Sequence, residues 1–124
     1  MNVPDNLYYT KDHEWVRLEN GIATIGITDY AQSELGDIIF IEFPKIGRTC
    51  SEGETIGTIE AVKTVADLYS PIKGSVSEIN GNLEDDPAAI NLDPYDSGWI
   101  IKLDTLSESR SNLLSSNEYK KLIE

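Results

Sequence analysis

With 124 residues and a formal net charge of −12, from 10 basic against 22 acidic side chains, the chain is long enough for one modest core. It is too acidic to attract a phosphate backbone, which excludes nucleic acid as an expected partner. Cys50 is the only cysteine and His13 the only histidine, so no internal disulfide, no Cys/His zinc site and no standard nucleophile–histidine unit apart from His13 is expected. A lone cysteine fits a reducing compartment. No stretch approaches the roughly 20 apolar residues that cross a bilayer. The start, M-N-V-P-D-N-L-Y-Y, has neither the basic nor the apolar region of a signal peptide. A cytoplasmic protein without membrane contact is expected; a mature mitochondrial form stripped of its transit segment would read the same.

Residues 15–18 and 22–27 read as a hairpin joined through Asn20-Gly21, which supplies the positive φ angles of a tight turn. Thr28 is placed to cap a short helix over 29–35, and Gly36 to end it. Strands follow at 38–43 and 55–61, separated by a turn at 44–47. Further strands are expected at 65–69 and 75–79, before Asn80-Gly81-Asn82 breaks the pattern. Asp85-Asp86-Pro87 should open a helical turn, with Pro87 at an early helical position. Residues 91–98 read as loop, and 99–103 as a last strand broken off by Asp104. The tail has helical spacing over 107–114 and 116–123, with Ser115 and Glu118 placed for a capping box. Short, closely spaced strands flanked by small helices indicate a mainly β sandwich or flattened barrel, with 107–124 as a C-terminal helical extension. A weak echo links Thr24-Ile25-Gly26-Ile27 to Thr55-Ile56-Gly57-Thr58-Ile59, as two similar half-sheets would produce.

The run I-E-A-V-K-T-V-A from Ile59 to Ala66 carries a lysine at its centre. A single straight strand would put Lys63 on one face with Ile59, Ala61 and Val65, and an unpaired ammonium buried among aliphatic side chains is costly. A reversal near Val62-Lys63-Thr64 removes the conflict by holding the lysine in solvent at a hairpin tip. The turns Ser51-Glu52-Gly53-Glu54 and Pro71-Ile72-Lys73-Gly74 bracket that tip from either side.

Glu60-Ala61-Val62-Lys63, followed by Asp67-Leu68-Tyr69-Ser70-Pro71-Ile72-Lys73-Gly74, closely resembles the lipoyl-lysine hairpin of the glycine cleavage H-protein family. Three more segments resemble the same family in the same order: Tyr9-Thr10-Lys11-Asp12-His13-Glu14-Trp15-Val16, Gly26-Ile27-Thr28-Asp29-Tyr30-Ala31-Gln32, and Asn91-Leu92-Asp93-Pro94-Tyr95-Asp96-Ser97-Gly98-Trp99. Together they span most of the chain. The resemblance implies a fold of the lipoyl/biotinyl type, a flattened barrel or sandwich of the hybrid-motif kind. It also implies a carrier rather than an enzyme, with lipoate joined through an amide to Lys63, no catalytic residue of its own and no metal site. The implied partners are a pyridoxal-phosphate glycine decarboxylase (P protein) that loads an aminomethyl group, a tetrahydrofolate-dependent aminomethyltransferase (T protein) that removes it, and a flavin-linked dihydrolipoyl dehydrogenase (L protein) that reoxidises the dithiol. A lipoate ligase or a lipoyl/octanoyl transferase would attach the group.

Within those motifs, Glu60 is a candidate for recognition by the lipoylating enzyme. Glu14 or Asp67 is a candidate to hold the ammonium of the loaded arm, against surface salt bridging as the plainer expectation, and His13 is expected to be a packed or hydrogen-bonded residue. Ala61 and Thr64 depart from the serine and alanine frequent in the family, but both are small and leave the hairpin intact. The alternatives fit less well. A lipoyl domain of a 2-oxo-acid dehydrogenase commonly has Asp before the lysine and a flexible Pro/Ala-rich linker, whereas Val62 precedes Lys63 and no such linker is present. A biotin carrier flanks its lysine with methionine, and the only methionine is Met1. Some members of the family also pass lipoyl groups to other proteins.

Overall fold

The structure, a computed structural model, describes residues 1–105 and 112–124. In chain order its elements are β1 (Tyr8–Tyr9), β2 (Glu14–Glu19), β3 (Ile22–Ile27), α1 (Asp29–Leu35), β4 (Ile38–Glu42), β5 (Thr49–Cys50), β6 (Thr55–Ala61), β7 (Val65–Tyr69), β8 (Gly74–Ile79), α2 (Asn82–Asp85), α3 (Ala89–Leu92), β9 (Ile101–Thr105) and α4 (Ser116–Ile123). Two antiparallel sheets result: six strands in the order β1-β2-β3-β9-β8-β5, and three in the order β4-β6-β7. The expected sandwich is present, with the short helices around it. Among the described residues no helix is long and apolar enough to cross a membrane.

Period-two alternation explains the core. In the large sheet Val16, Ala23, Ile25, Val76, Ile101 and Leu103 point inward, and in the small sheet Ile41, Ile59 and Leu68 meet them. A second apolar cluster lies outside the sandwich, where Val3, Leu7, Tyr9, Trp15, Tyr95 and Tyr119 gather the two ends of the chain. The echoing segments fall in different sheets, Thr24 in β3 and Thr55 in β6.

Trp15 and Gly26 are cross-strand partners in the β2–β3 hairpin. The indole lies fully buried across Gly26, with its N–H donating to the carbonyl of Pro94 at 2.9 Å. A Cβ at position 26 would lie 2.7 Å from the ring, inside contact distance, so Gly26→Ala is expected to destabilise the fold by roughly 2 kcal/mol, read as a lower urea midpoint at unchanged slope.

Two expectations need correction and two are met. The last strand is Ile101–Thr105 rather than 99–103, and Asp104 does not break it: strand alternation turns its carboxylate to solvent while its backbone pairs with Ile22 and Ser75. Asn80-Gly81-Asn82 breaks the strand pattern as expected, β8 ending at Ile79, and α2 starts there, with the Leu83 N–H bonded to the Asn80 carbonyl at 3.1 Å. Asp86-Pro87 opens the next helical turn as expected, their carbonyls accepting from Ala89 and Ile90 ahead of α3. Of the helix expected over 107–114, residues 107–111 lie outside the described part, and Leu114 instead pairs with Tyr9 in an antiparallel bridge. The two-residue strands β1 and β5 are too short to leave a periodic signal.

Candidate functional site

β6 and β7 pair antiparallel from Thr55↔Tyr69 to Glu60↔Val65, and the Ala61 N–H donates to the Thr64 carbonyl at 2.8 Å, leaving Val62 and Lys63 as a two-residue tip. Both are exposed, Val62 at 72%. Neither tip residue has positive φ, so the reversal is not the primed turn of ordinary tight hairpins. It is held from outside instead: the Val62 N–H donates to the Asp37 carbonyl at 3.0 Å.

Asn91 secures that outer support. Its amide N–H donates to the Gln32 side chain at 3.0 Å and to the Gly36 carbonyl at 2.8 Å, while its oxygen accepts the Ile38 N–H at 3.0 Å. One side chain on α3 thus fixes the loop after α1, and that loop fixes the tip. The Lys63 stem passes over this loop, since a Cβ added to Gly36 would lie 3.4 Å from Cε and 3.8 Å from Nζ. No ion pair among the described residues engages its ammonium.

Beside the hairpin is a cavity of about 270 Å³ lined by Glu14, Tyr30, Leu35, Ile59, Ala66 and Asp67, among others. Glu14 also lines a second cavity of about 370 Å³ that continues past Thr10, Tyr69 and Asn112. Glu14 is only 2% exposed and has no ion-pair partner among the described residues, so surface salt bridging is not its role. The Thr10 hydroxyl donates to Oε1 at 2.7 Å and the Tyr69 N–H to Oε2 at 3.3 Å. Burial dominates those two hydrogen bonds and pushes the carboxyl up to about 7. The site therefore holds a carboxyl whose charged form burial disfavours. An incoming cation is the natural complement of such a group.

Asp67 lies at the exposed rim of the same cavity, opposite Thr58 on the neighbouring strand. Glu60 is half-buried and pairs within the three-stranded sheet with Phe40 on β4 and Val65 on β7, both exposed. His13 is hydrogen-bonded, as expected, with Nδ1 2.8 Å from the Tyr119 hydroxyl. Thr10, Tyr69 and Asn91 lie inside the segments that resemble the family, but the sequence alone singled out none of them. The first two carry no chemistry that marks them, and the hints of the third were its place at the start of a family-like segment and its polarity within Ala89–Leu92.

A family profile described as Glycine cleavage H-protein matches residues 7–124. The chain is 50% identical over 125 aligned residues to the "Glycine cleavage system H protein" of Listeria monocytogenes serotype 4a (strain HCC23), covering 100% of both chains. It is 52% identical over 122 residues to the protein of the same name from Listeria innocua serovar 6a, with 98% of each covered. Among solved structures, a crystal structure of a glycine cleavage system H protein from Mycobacterium marinum superposes with a TM-score of 0.90 at 38% identity, covering 96% of this chain and 97% of that one. Full-length identity at this level, on the same two-sheet fold with the lysine at its hairpin tip, leaves one assignment: the chain belongs to the glycine cleavage H-protein family.

Proposed function

We propose that Lys63 is acylated by lipoic acid and that the chain is the lipoyl carrier of a glycine cleavage system. In that role it takes an aminomethyl group from a glycine decarboxylase (P protein) to an aminomethyltransferase (T protein), is reoxidised by a dihydrolipoyl dehydrogenase (L protein), and supplies no catalytic residue itself. The observation that carries this reading is the exposed Lys63, without an ion-pair partner among the described residues, at a two-residue tip held by Asp37 beside a cavity that contains a buried carboxyl. The residues present fit the group: the amine is exposed to a ligase or transferase, and acylation removes a charge that no carboxylate among the described residues neutralises. When attached, lipoate supplies the disulfide that accepts the cargo and two electrons.

The chain's own residues then have three tasks. The Asn91–Gly36–Asp37 chain of hydrogen bonds keeps the root of the arm fixed, so that tethering raises its local concentration at a partner's surface. Exposed Ile39, Phe40, Val62 and Val65 surround the tip amid Asp37, Glu42, Glu60 and Asp67, which suits a partner with an apolar seat and a basic rim. Asp67, four residues beyond Lys63 and hence ~13 Å along the strand, and Glu14 behind it offer carboxylates to a cationic cargo returning to the cavity. The one thiol is kept out of the chemistry. Cys50 is fully buried and its ionisation is pushed up by burial, so it does not exchange with a dithiol.

The test is a reconstitution. Lipoylated protein with the glycine decarboxylase and carboxyl-labelled glycine should release labelled carbon dioxide in proportion to the carrier, and should not be reductively acylated by a 2-oxo-acid decarboxylase. The reverse pattern would move the chain to the 2-oxo-acid complexes.

A further inference from the structure

The wall of the cavity beside Glu14 includes two rings from outside the sheets, His13 before β2 and Tyr30 on α1, whose centroids are 4.8 Å apart. His13 has φ 69°, a left-handed conformation that a non-glycine residue adopts only when its surroundings impose it. Its backbone is gripped on both sides: the His13 N–H donates to the Thr10 carbonyl at 3.1 Å, and the Thr28 N–H donates to the His13 carbonyl at 3.0 Å. The ring is held from the far end of the chain. Tyr119 on α4 is fully buried and stacked on Tyr9 at 4.8 Å, and its hydroxyl lies 2.8 Å from His13 Nδ1 and 2.7 Å from Thr28 Oγ1. Thr28 is the N-cap of α1, its Oγ1 accepting the Ala31 N–H at 3.2 Å. One phenol oxygen therefore ties together α4, the turn before β2 and the start of α1.

The hydrogens in this chain of bonds have a preferred direction. Burial pushes the phenol of Tyr119 up to about 12, so it keeps its single hydrogen. If Thr28 donates to Tyr119 and Tyr119 donates to His13 Nδ1, every hydroxyl hydrogen is used and the imidazole is neutral, with its proton on Nε2. A protonated Nδ1 reverses the chain. Tyr119 must then donate to Thr28, and the Thr28 hydrogen loses the acceptor it had in a site with no solvent exposure.

We propose that Tyr119 is a positioning residue of the cargo cavity: its hydroxyl fixes the tautomer and orientation of His13 and the register of the start of α1, so that α4 clamps the wall against which the arm's cationic cargo rests. The proposal rests on the reading of that cavity as the cargo shelter. It gives the C-terminal helix a task at a cavity that Tyr119 reaches only through His13 and Thr28.

His13 is the only histidine, so its ring nitrogens can be read without ambiguity in long-range nitrogen–proton correlation spectra of the unmodified protein. The wild type should show one neutral tautomer with the proton on Nε2. Tyr119→Phe keeps the stack on Tyr9 and removes only the oxygen. It should yield a tautomer mixture and, in the loaded protein, hydrolytic loss of the cargo about fivefold faster, the factor that one neutral hydrogen bond corresponds to. Lys120→Ala breaks the exposed α4 ion pair with Asp5 at 3.5 Å and leaves the hydroxyl in place, so tautomer and loss rate should stay as in the wild type. A wild-type ring protonated on Nδ1 overturns the proposal, even if Tyr119→Phe does not fold. An unchanged tautomer and unchanged loss in Tyr119→Phe overturn it too. If Glu14→Gln and Asp67→Asn both leave cargo loss unchanged, the shelter reading fails instead, and the spectra still decide whether Tyr119 sets His13.

Discussion

Lys63→Arg is expected to abolish carrier function while leaving the fold intact. In cells supplied with lipoate, the wild-type protein should gain the mass of one lipoyl group and the variant none, and glycine-dependent carbon dioxide release should fall to the level without carrier. Arginine keeps a positive charge and a flexible stem at the tip, so any role of Lys63 in stability through its charge survives. It cannot offer a free amine, because a guanidinium stays protonated well above physiological pH and does not accept an acyl group. The side chain is exposed and lies over Gly36, so unfolding free energy should change by less than about 0.5 kcal/mol. Both readouts are needed, since a carrier lost through misfolding would also fail to release carbon dioxide. If the variant still acquires a lipoyl group, the assignment of Lys63 is wrong. Lys73, exposed at the turn before β8, would then be the first alternative to map.

The sequence told most about segments where local chemistry and tertiary structure agree. Asn20-Gly21 supplied the two positive φ angles the β2–β3 turn needs, Thr28 and Gly36 bounded α1, and Ser115 with Glu118 formed the capping box of α4, because each signal acts within a few residues. Lys63 was legible through a conflict, as a cation in a β-forming run that only a reversal resolves. The rest depends on contacts made across the chain. Asp104 looked like a terminator by type, yet its place in the ladder is set by Ile22 and Ser75. Leu114 had helical spacing, yet it pairs with Tyr9 from the other end of the molecule. Glu14 lay inside a recognised motif, but its burial against Thr10 and Tyr69 is visible only once β2 is packed against β7. The bond from Tyr119 to His13 spans 106 positions, and no local pattern could announce it.

Glu14→Gln is expected to remove a pH dependence of stability and to weaken retention of the cargo. Folding raises the Glu14 carboxyl from 4.5 to about 7, so the folded chain binds this proton more tightly than the unfolded one. The stability this contributes is fully present below about pH 4.5 and is lost as pH rises through about 7; the shift corresponds to ~3 kcal/mol between those limits. His13 acts in the opposite sense: burial lowers it, so its contribution is lost as pH falls through the ordinary histidine range. Subtracting variant from wild type isolates Glu14. Urea unfolding at about pH 5 and about pH 8 should show the wild type losing more stability than Glu14→Gln on going to the higher pH, by roughly 2 to 3 kcal/mol. An equal change in both proteins would mean that the carboxyl titrates in its ordinary range and that burial does not control it. The amide can still accept the Tyr69 N–H, and the Thr10 hydroxyl, which already accepts the Glu14 N–H at 3.2 Å, can turn to accept from the new amide hydrogens. The variant should therefore fold. What it cannot do is ionise. On the proposed reading, a cation entering the cavity stabilises the charged form of Glu14 and favours loss of its proton, so the negative charge facing the cargo grows when the cargo arrives, and the empty site carries less of the cost of a buried anion. With glutamine in place that response is absent and only Asp67 is left to face the cargo, so the loaded group should be lost to water several-fold faster, most clearly at and above neutral pH, where the wild-type carboxyl ionises. Equal loss rates in wild type and variant would leave the buried carboxyl without a part in retention.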